Sequence, residues 1–233
     1  MHFEILVEDI SGKAMLEILL PKILAGTKDN TFTVHAYKGI GSIPKDLKTS
    51  QDPCKRALLN QLPRLLNGYG RTYAYDNSQY VVIVVCDLDK RDKRSFLNEL
   101  NLVLDSCKIK PQTTFCLAIE ECEAWLLGDK DAVVKAYPKC NKKILKGYVN
   151  DSICGTWERL ADVVYKGGAK SLKAKGTQAV GTEKTSWAKN IGYYLEVTKN
   201  KSPSFMFFVN CIREYLKVGM ARRYTWYVLN SYK

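Results

Sequence analysis

Apolar residues along this chain recur with two periods, and their order predicts an alternation of strands and helices. Residues 81–85, Val-Val-Ile-Val-Val, form a continuous apolar run, the pattern of a strand buried on both faces. Residues 79–86 are read as that strand, 3–8 as a shorter one, 31–37 as an alternating β-branched one and 113–119 as a fourth. Between them, residues 12–24 place Met15, Leu16, Leu19, Leu20 and Ile23 on one helical side. Pro21 predicts a kink there. Residues 53–66 and 95–105 also read as helices, and 38–52, with Gly39, Gly41 and Pro44, as a loop. Repeated β-α units of this kind predict an α/β fold, a mostly parallel sheet flanked by helices on both faces.

Beyond residue 120 the strand pattern stops. Short helices are expected over 121–127, 131–137 and 156–165, and longer ones over 184–195 and 204–216. Ser202-Pro203-Ser204 reads as a helix start with a serine cap. Residues 166–181 hold four Gly and four Lys with few apolar side chains, so they are expected to be a mobile loop. The division that follows is a core over 1–127 and a helical, basic C-terminal region over 128–233, packed on the core. No internal repeat is evident.

Charge changes the picture most. Thirty-six Lys and Arg against 24 Asp and Glu give a formal net charge of +12 in 233 residues, which favours polyanionic partners, nucleic acid first. The eight Cys contain no C-x-x-C pair and only His2 and His35 are present, so a zinc site is not expected. Cys86 and Cys116 fall inside apolar strands and read as buried free thiols, in keeping with a reducing, cytoplasmic setting. No signal peptide and no run of about 18 apolar residues is evident, so no membrane span is expected.

Three strands end in acid. The first runs into Glu8 and Asp9, the acid-tipped one into Asp87-Leu88-Asp89, and the last into Glu120, Glu121 and Glu123. Side chains two apart on an extended chain point the same way, so Asp87 and Asp89 are expected to face one point. Ligands of open parallel sheets gather at the carboxyl ends of strands. Carboxylates converging there repel one another unless a cation joins them, and Mg²⁺ or Mn²⁺ suits oxygen ligands. Each piece also has a structural reading: Asp89 as a helix cap, Glu120 and Glu123 as first-turn helix acids.

These blocks resemble the Toprim fold of topoisomerases, primases and OLD-type nucleases, in which a strand ends in a catalytic Glu and a later strand ends in D-x-D. The blocks are Ile5-Leu6-Val7-Glu8-Asp9-Ile10-Ser11-Gly12 and Val84-Val85-Cys86-Asp87-Leu88-Asp89. Ala118 to Leu126, Ser186-Trp187-Ala188 and Lys201 to Phe205 look like an uncharacterised Toprim-like family encoded beside OLD-like or ABC-type ATPases in prokaryotic defence loci. The resemblance implies Glu8 as a metal ligand or general base, Asp87 and Asp89 as the principal Mg²⁺ (or Mn²⁺) ligands, Glu120 as the ligand on the adjoining strand and Glu123 as a supporting acid. Asp9 stands where the family has Gly, and Gly12 where OLD-type nucleases often carry a second acid, which leaves one or two metals open.

Lys170, Lys173, Lys175 and Lys184 surround the Gly-rich segment and are the expected nucleic-acid contacts, with a Lys there able to stabilise developing phosphoryl charge. The tail from Ala221, with Arg222, Arg223, Tyr224, Trp226 and Tyr227, has the composition to stack bases. The function expected is a metal-dependent nuclease, the effector subunit of an ATPase-linked antiphage system, with DNA or RNA and an ATPase as partners and self-association left open. Two alternatives remain: a non-catalytic interaction subunit, and a phosphatase using D-x-D in the haloacid-dehalogenase manner. Arg91 stands where that phosphatase motif has Thr or Val.

Overall fold

The computed structural model describes residues 1–27, 29–45, 57–76, 78–119, 121–152 and 155–220. Its centre is a four-stranded, all-parallel sheet in the order β2-β1-β3-β4, formed by β1 (His2–Val7), β2 (Thr31–Ala36), β3 (Tyr80–Asp87) and β4 (Thr113–Ala118). Phe3 pairs with Val81 and Val7 with Val85, and Asp87 stands beside Ala118. The four strands therefore end near one edge. The buried run in β3 is central in the sheet, as its lack of polar alternation requires.

Strand parity divides the core. Phe3, Ile5, Val7, Val81, Ile83, Val85, Cys116 and Ala118 face one side and belong to the larger apolar cluster. Leu6, Val82, Val84, Cys86, Phe115 and Leu117 face the other. The second side is covered by α2 (Leu58–Thr72) and α3 (Lys93–Asp105), through Leu58, Leu62, Leu66, Phe96 and Leu100. The first is covered by α1 (Ile10–Ile23) and by the helices that follow the sheet. Those are α4 (Glu123–Leu127), α5 (Lys130–Ala136), α6 (Lys142–Gly147), α7 (Thr156–Val164), α8 (Gly168–Lys173), α9 (Thr177–Tyr194) and α10 (Pro203–Met220). One continuous cluster runs from Phe3 to Tyr215, so the helical region and the sheet share a core.

Three expectations change. Residues 166–181 are not a loop: they hold α8 and the start of α9. Gly167, Gly168 and Gly176 all have positive φ and act as punctuation at the helix starts, the backbone freedom that only Gly supplies without strain. Ala169 and Leu172, three apart, bury the inner face of α8. The short helix α6 was not expected at all. Helix α1 runs through Pro21 to Ile23, with the Leu24 N–H still donating to the Leu20 carbonyl at 2.8 Å. Pro21 sits in the last turn, where it removes a single backbone bond.

The serine cap is as read from the sequence: the Phe205 N–H donates to Ser202 Oγ at 3.2 Å, with Pro203 at the first helical position. Asp151, itself at φ 54°, accepts from Ser202 Oγ and from the Ser204 N–H. Ser204 Oγ accepts the buried Trp125 indole N–H at 2.9 Å, and Trp125 packs on Phe205 and Phe208. These contacts lock α4 and α10 together beneath the sheet edge. Among the described residues no helix is long and apolar enough to cross a membrane.

Replacing Ser204 with Ala leaves the Trp125 N–H buried without an acceptor. The expected cost is about 1–3 kcal/mol of unfolding free energy, measured by denaturant titration. An unchanged midpoint would show that this bond contributes nothing.

Candidate active site

Three segments deliver acids to the carboxyl edge of the sheet. Glu8 follows β1 directly, and its backbone carbonyl accepts from the Gly39 N–H at 3.0 Å, pinning the strand exit. Its Oε2 is buried without a hydrogen-bond partner. Burial above all, then the charges of Asp89 and Asp9, push the Glu8 carboxyl up to about 7, against the pull of Lys184 and the Ile40 N–H. Asp9 caps α1, accepting from Ser11 Oγ at 2.9 and 2.8 Å and from the Gly12 N–H at 2.7 Å.

Asp87 is the last residue of β3, and its Oδ1 accepts from the Cys122 N–H at 3.2 Å. Burial, then Glu8 and Glu123, raise its carboxyl well above the usual range. Asp89 does not sit beside it by strand alternation, as the spacing had suggested. The chain leaves the sheet after Asp87, and Asp89 takes the left-handed conformation at φ 51°, which Asp tolerates better than most residues. That turn leaves Asp89 exposed, 3.8 Å from Arg91 Nη1, yet close enough to raise Glu8. It is not the cap of the next helix; Asp92 caps α3, accepting from the Ser95 N–H.

The segment after β4 adds Glu121 and Glu123. Glu121 accepts from Thr156 Oγ1 at 3.1 Å and from the Trp157 N–H at 3.0 Å, capping α7. Glu123, in the first turn of α4, is only 3% exposed, and its Oε2 has no partner. Burial pushes it up to about 7, with Lys184 opposing. Glu120 lies outside the described residues, as do Cys54, Cys154 and the tail from residue 221.

Lys184 enters from α9. Its ammonium lies 3.3 Å from Glu123 Oε1 and 3.9 Å from Asp9 Oδ2, and its side chain is 15% exposed. Burial pulls its pKa down, but Glu123, Asp9, Glu121 and Asp87 together outweigh that and raise it. At the other end of α1, Lys22 Nζ donates to the carbonyls of Gly192, Tyr193 and Leu195. Helix α9 is thus tied to both ends of α1, and the tie aims Lys184 at the acids.

The predicted lysine set is split by this arrangement. Lys184 is a counter-ion inside the acid cluster and largely withdrawn from solvent. Lys173 pairs with Glu158 at 2.9 Å and Lys175 donates to the Tyr165 hydroxyl at 2.7 Å, while Lys170 is exposed on α8. Two acids of the cluster were outside the predicted set: Asp9, whose cap position was readable, and Glu121, whose role depends on where α7 comes to lie. Gly12 has a packing reason. A Cβ there would lie 2.7 Å from Val7 Cγ2 and 3.2 Å from Asp9 Oδ1, so an acid at this position would not fit.

No family model matches this chain, nor does a curated protein or a solved structure.

The donors suit a hard cation: they are carboxylate oxygens, and Glu8 Oε2 and Glu123 Oε2 are buried acceptors that no donor satisfies. Among the described residues no three His, Cys, Asp or Glu side chains are gathered closely enough to cage a metal by themselves. Mg²⁺ commonly needs no such cage, being held by one or two carboxylates plus water and phosphate oxygens.

Glu8 and Glu123 titrate near 7 in the folded chain against an ordinary 4.5. The native state therefore binds protons more tightly than the unfolded one between those values, and stability falls as pH rises across that window. With chelator present, the melting temperature is expected to be several degrees higher at about pH 5 than at about pH 7.5; a rise instead would contradict the assigned shifts. Lys184→Met leaves the acids uncompensated where they are charged. It is expected to cost about 3 kcal/mol at roughly pH 8 and distinctly less at about pH 5, read from denaturant midpoints.

Proposed function

We propose that this chain is a divalent-cation-dependent phosphodiesterase acting on nucleic acid. The observation that carries the reading is the excess of buried or half-buried carboxylate at one sheet edge, Glu8, Asp9, Asp87, Glu121 and Glu123, around the single ammonium of Lys184. A protein that needed only stability would not keep Glu8 and Asp87 at the cost their raised pKa values express. Asp87, with one neighbouring carboxylate, would hold the cation, and water and phosphate oxygens would complete its shell. When bound, the cation would neutralise charge on the phosphate and lower the pKa of a coordinated water.

The chain's own side chains then have distinct tasks. Glu8, half-buried at the exit of β1 beside these acids, is suited to take a proton from an attacking water. Lys184, which stays protonated, supplies fixed positive charge beside the reacting phosphoryl group. Glu123 and Asp9 hold that ammonium in place. Arg91, bonded to the Asp87 carbonyl at 3.4 Å, keeps a second cation at the rim. The net charge of +12 supports a polyanionic substrate. An ATPase partner and a role in antiphage defence belong to the same proposal and rest on the sequence resemblance.

Glu8→Gln is expected to lower Mn²⁺-dependent cleavage by about 10²–10⁴-fold, with Asp87→Asn at least as severe and both variants folded by circular dichroism. The assay compares single-stranded DNA, duplex DNA and RNA. Wild-type rates in Asp87→Asn would overturn the proposal. Binding, measured without metal, is expected to weaken by about 10³-fold or more between roughly 50 and 200 mM salt, as counterion release requires for six or more phosphate contacts. A flat salt dependence would argue for a protein partner instead.

A further inference from the structure

Beside the acids, on the α7 side, an open cleft of about 550 Å³ is walled by Asp89, Lys90, Arg91, Glu121, Trp157 and Glu158. Two of these residues belong to the acid cluster itself, since Asp89 raises Glu8 and Glu121 raises Asp87. The cleft therefore adjoins the strand-end acids through Asp89 and Glu121. A volume of this size suits a nucleotide-sized group.

Trp157 distinguishes this cleft from a simple charged groove. Trp125 and Trp187 are almost fully buried in the core, whereas Trp157 is only partly buried and reaches the cleft wall. Its placement is fixed from two directions. Its backbone N–H is held by Glu121 Oε2 at 3.0 Å, and Lys173 Nζ lies 5.2 Å from its ring centroid while pairing with Glu158. An indole held in this way has little conformational entropy to lose on binding, and the part of the ring that Lys173 and the core leave uncovered is what a planar group can stack on. Glu158 adds an acceptor: its Oε1 pairs with Lys173, but its Oε2 is buried with no donor. Lys90 and Arg91 on the Asp89 side give the cleft a cationic wall beside the acids.

We propose that this cleft receives an unpaired nucleobase, stacked on Trp157, from the strand whose phosphate lies at the acids. The proposal rests on the phosphodiesterase reading and narrows its substrate to single-stranded or locally opened nucleic acid. A base inside a duplex keeps its faces covered by its neighbours, so it reaches an aromatic wall only when splayed out. Lys90 and Arg91 would track the phosphates on either side of that base.

The test uses a labelled oligo(dA) strand of about ten nucleotides and a duplex of the same length, titrated by fluorescence anisotropy in chelator. Trp157→Ala is expected to weaken single-strand binding about tenfold, in line with the loss of one base–aromatic stack, and duplex binding less than about twofold. Trp157→Phe should restore most of the difference. Trp157→Leu fills the volume without a π face, so it separates packing from stacking, and melting temperatures confirm that each variant is folded. Single-strand affinity unchanged in folded Trp157→Leu would overturn the proposal, as would equal losses on both probes. Metal-dependent cleavage of duplex, unaltered in the Leu variant, would remove this inference and leave the phosphodiesterase reading standing. Trp157-dependent binding with no cleavage by the wild type would do the reverse.

Discussion

The site depends on one interaction, the Lys184 ammonium set among carboxylates from separate segments. Asp9 begins α1, Glu123 begins α4, and Asp87 ends β3, and each is within the electrostatic reach of that ammonium. Without it, burial and mutual repulsion would act on these acids unopposed, and at neutral pH they would have to protonate or move apart. One cation does not balance the cluster. Glu8 and Glu123 remain raised to about 7 and Asp87 well above its ordinary value. The protein therefore keeps an electrostatic deficit at a fixed place, which is the condition for binding a further cation there.

The rest of the fold serves to hold that deficit still. A parallel sheet buried on both faces sets the exits of β1, β3 and β4 side by side, with Asp87 in register with Ala118. Lys22 closes the carbonyl end of α9 and so fixes the helix that carries Lys184. The Trp125–Ser204 bond and the Asp151 contacts secure the floor below α4. Gly12 lets α1 start close against Val7, which brings the Asp9 cap to the cluster and excludes any larger side chain. The left-handed Asp89 turns the chain toward the cleft instead of continuing the strand.

Much of this was legible in the sequence because it rests on local pattern. The Val81–Val85 run, the β-α alternation, the strand-end acids and the Ser202 cap each carry a short-range signal. What could not be read depends on long-range packing. Lys184 resembles any lysine on a basic segment until α9 is seen lying along α1. The glycines at 167, 168 and 176 look like a linker, yet each is a turn residue at a helix start whose inner face, Ala169 and Leu172, is too short to show a period. Asp89 does not follow Asp87 by strand alternation, because the chain leaves the sheet after Asp87 and turns left-handed at Asp89. The tie from Glu121 to Thr156 and Trp157 spans about 35 residues of chain, a pairing that no local pattern announces.

On the proposed reading, burial keeps carboxyls at this sheet edge protonated near neutral pH, and a divalent cation displaces their protons. Isothermal titration of Mn²⁺ into the protein at about pH 7, repeated in two buffers of different ionisation enthalpy, measures both binding and the protons released. Binding is expected with release of roughly one proton or more per cation, since raised carboxyls must ionise to become ligands. Absence of binding at millimolar Mn²⁺, or binding with no proton release, would contradict it.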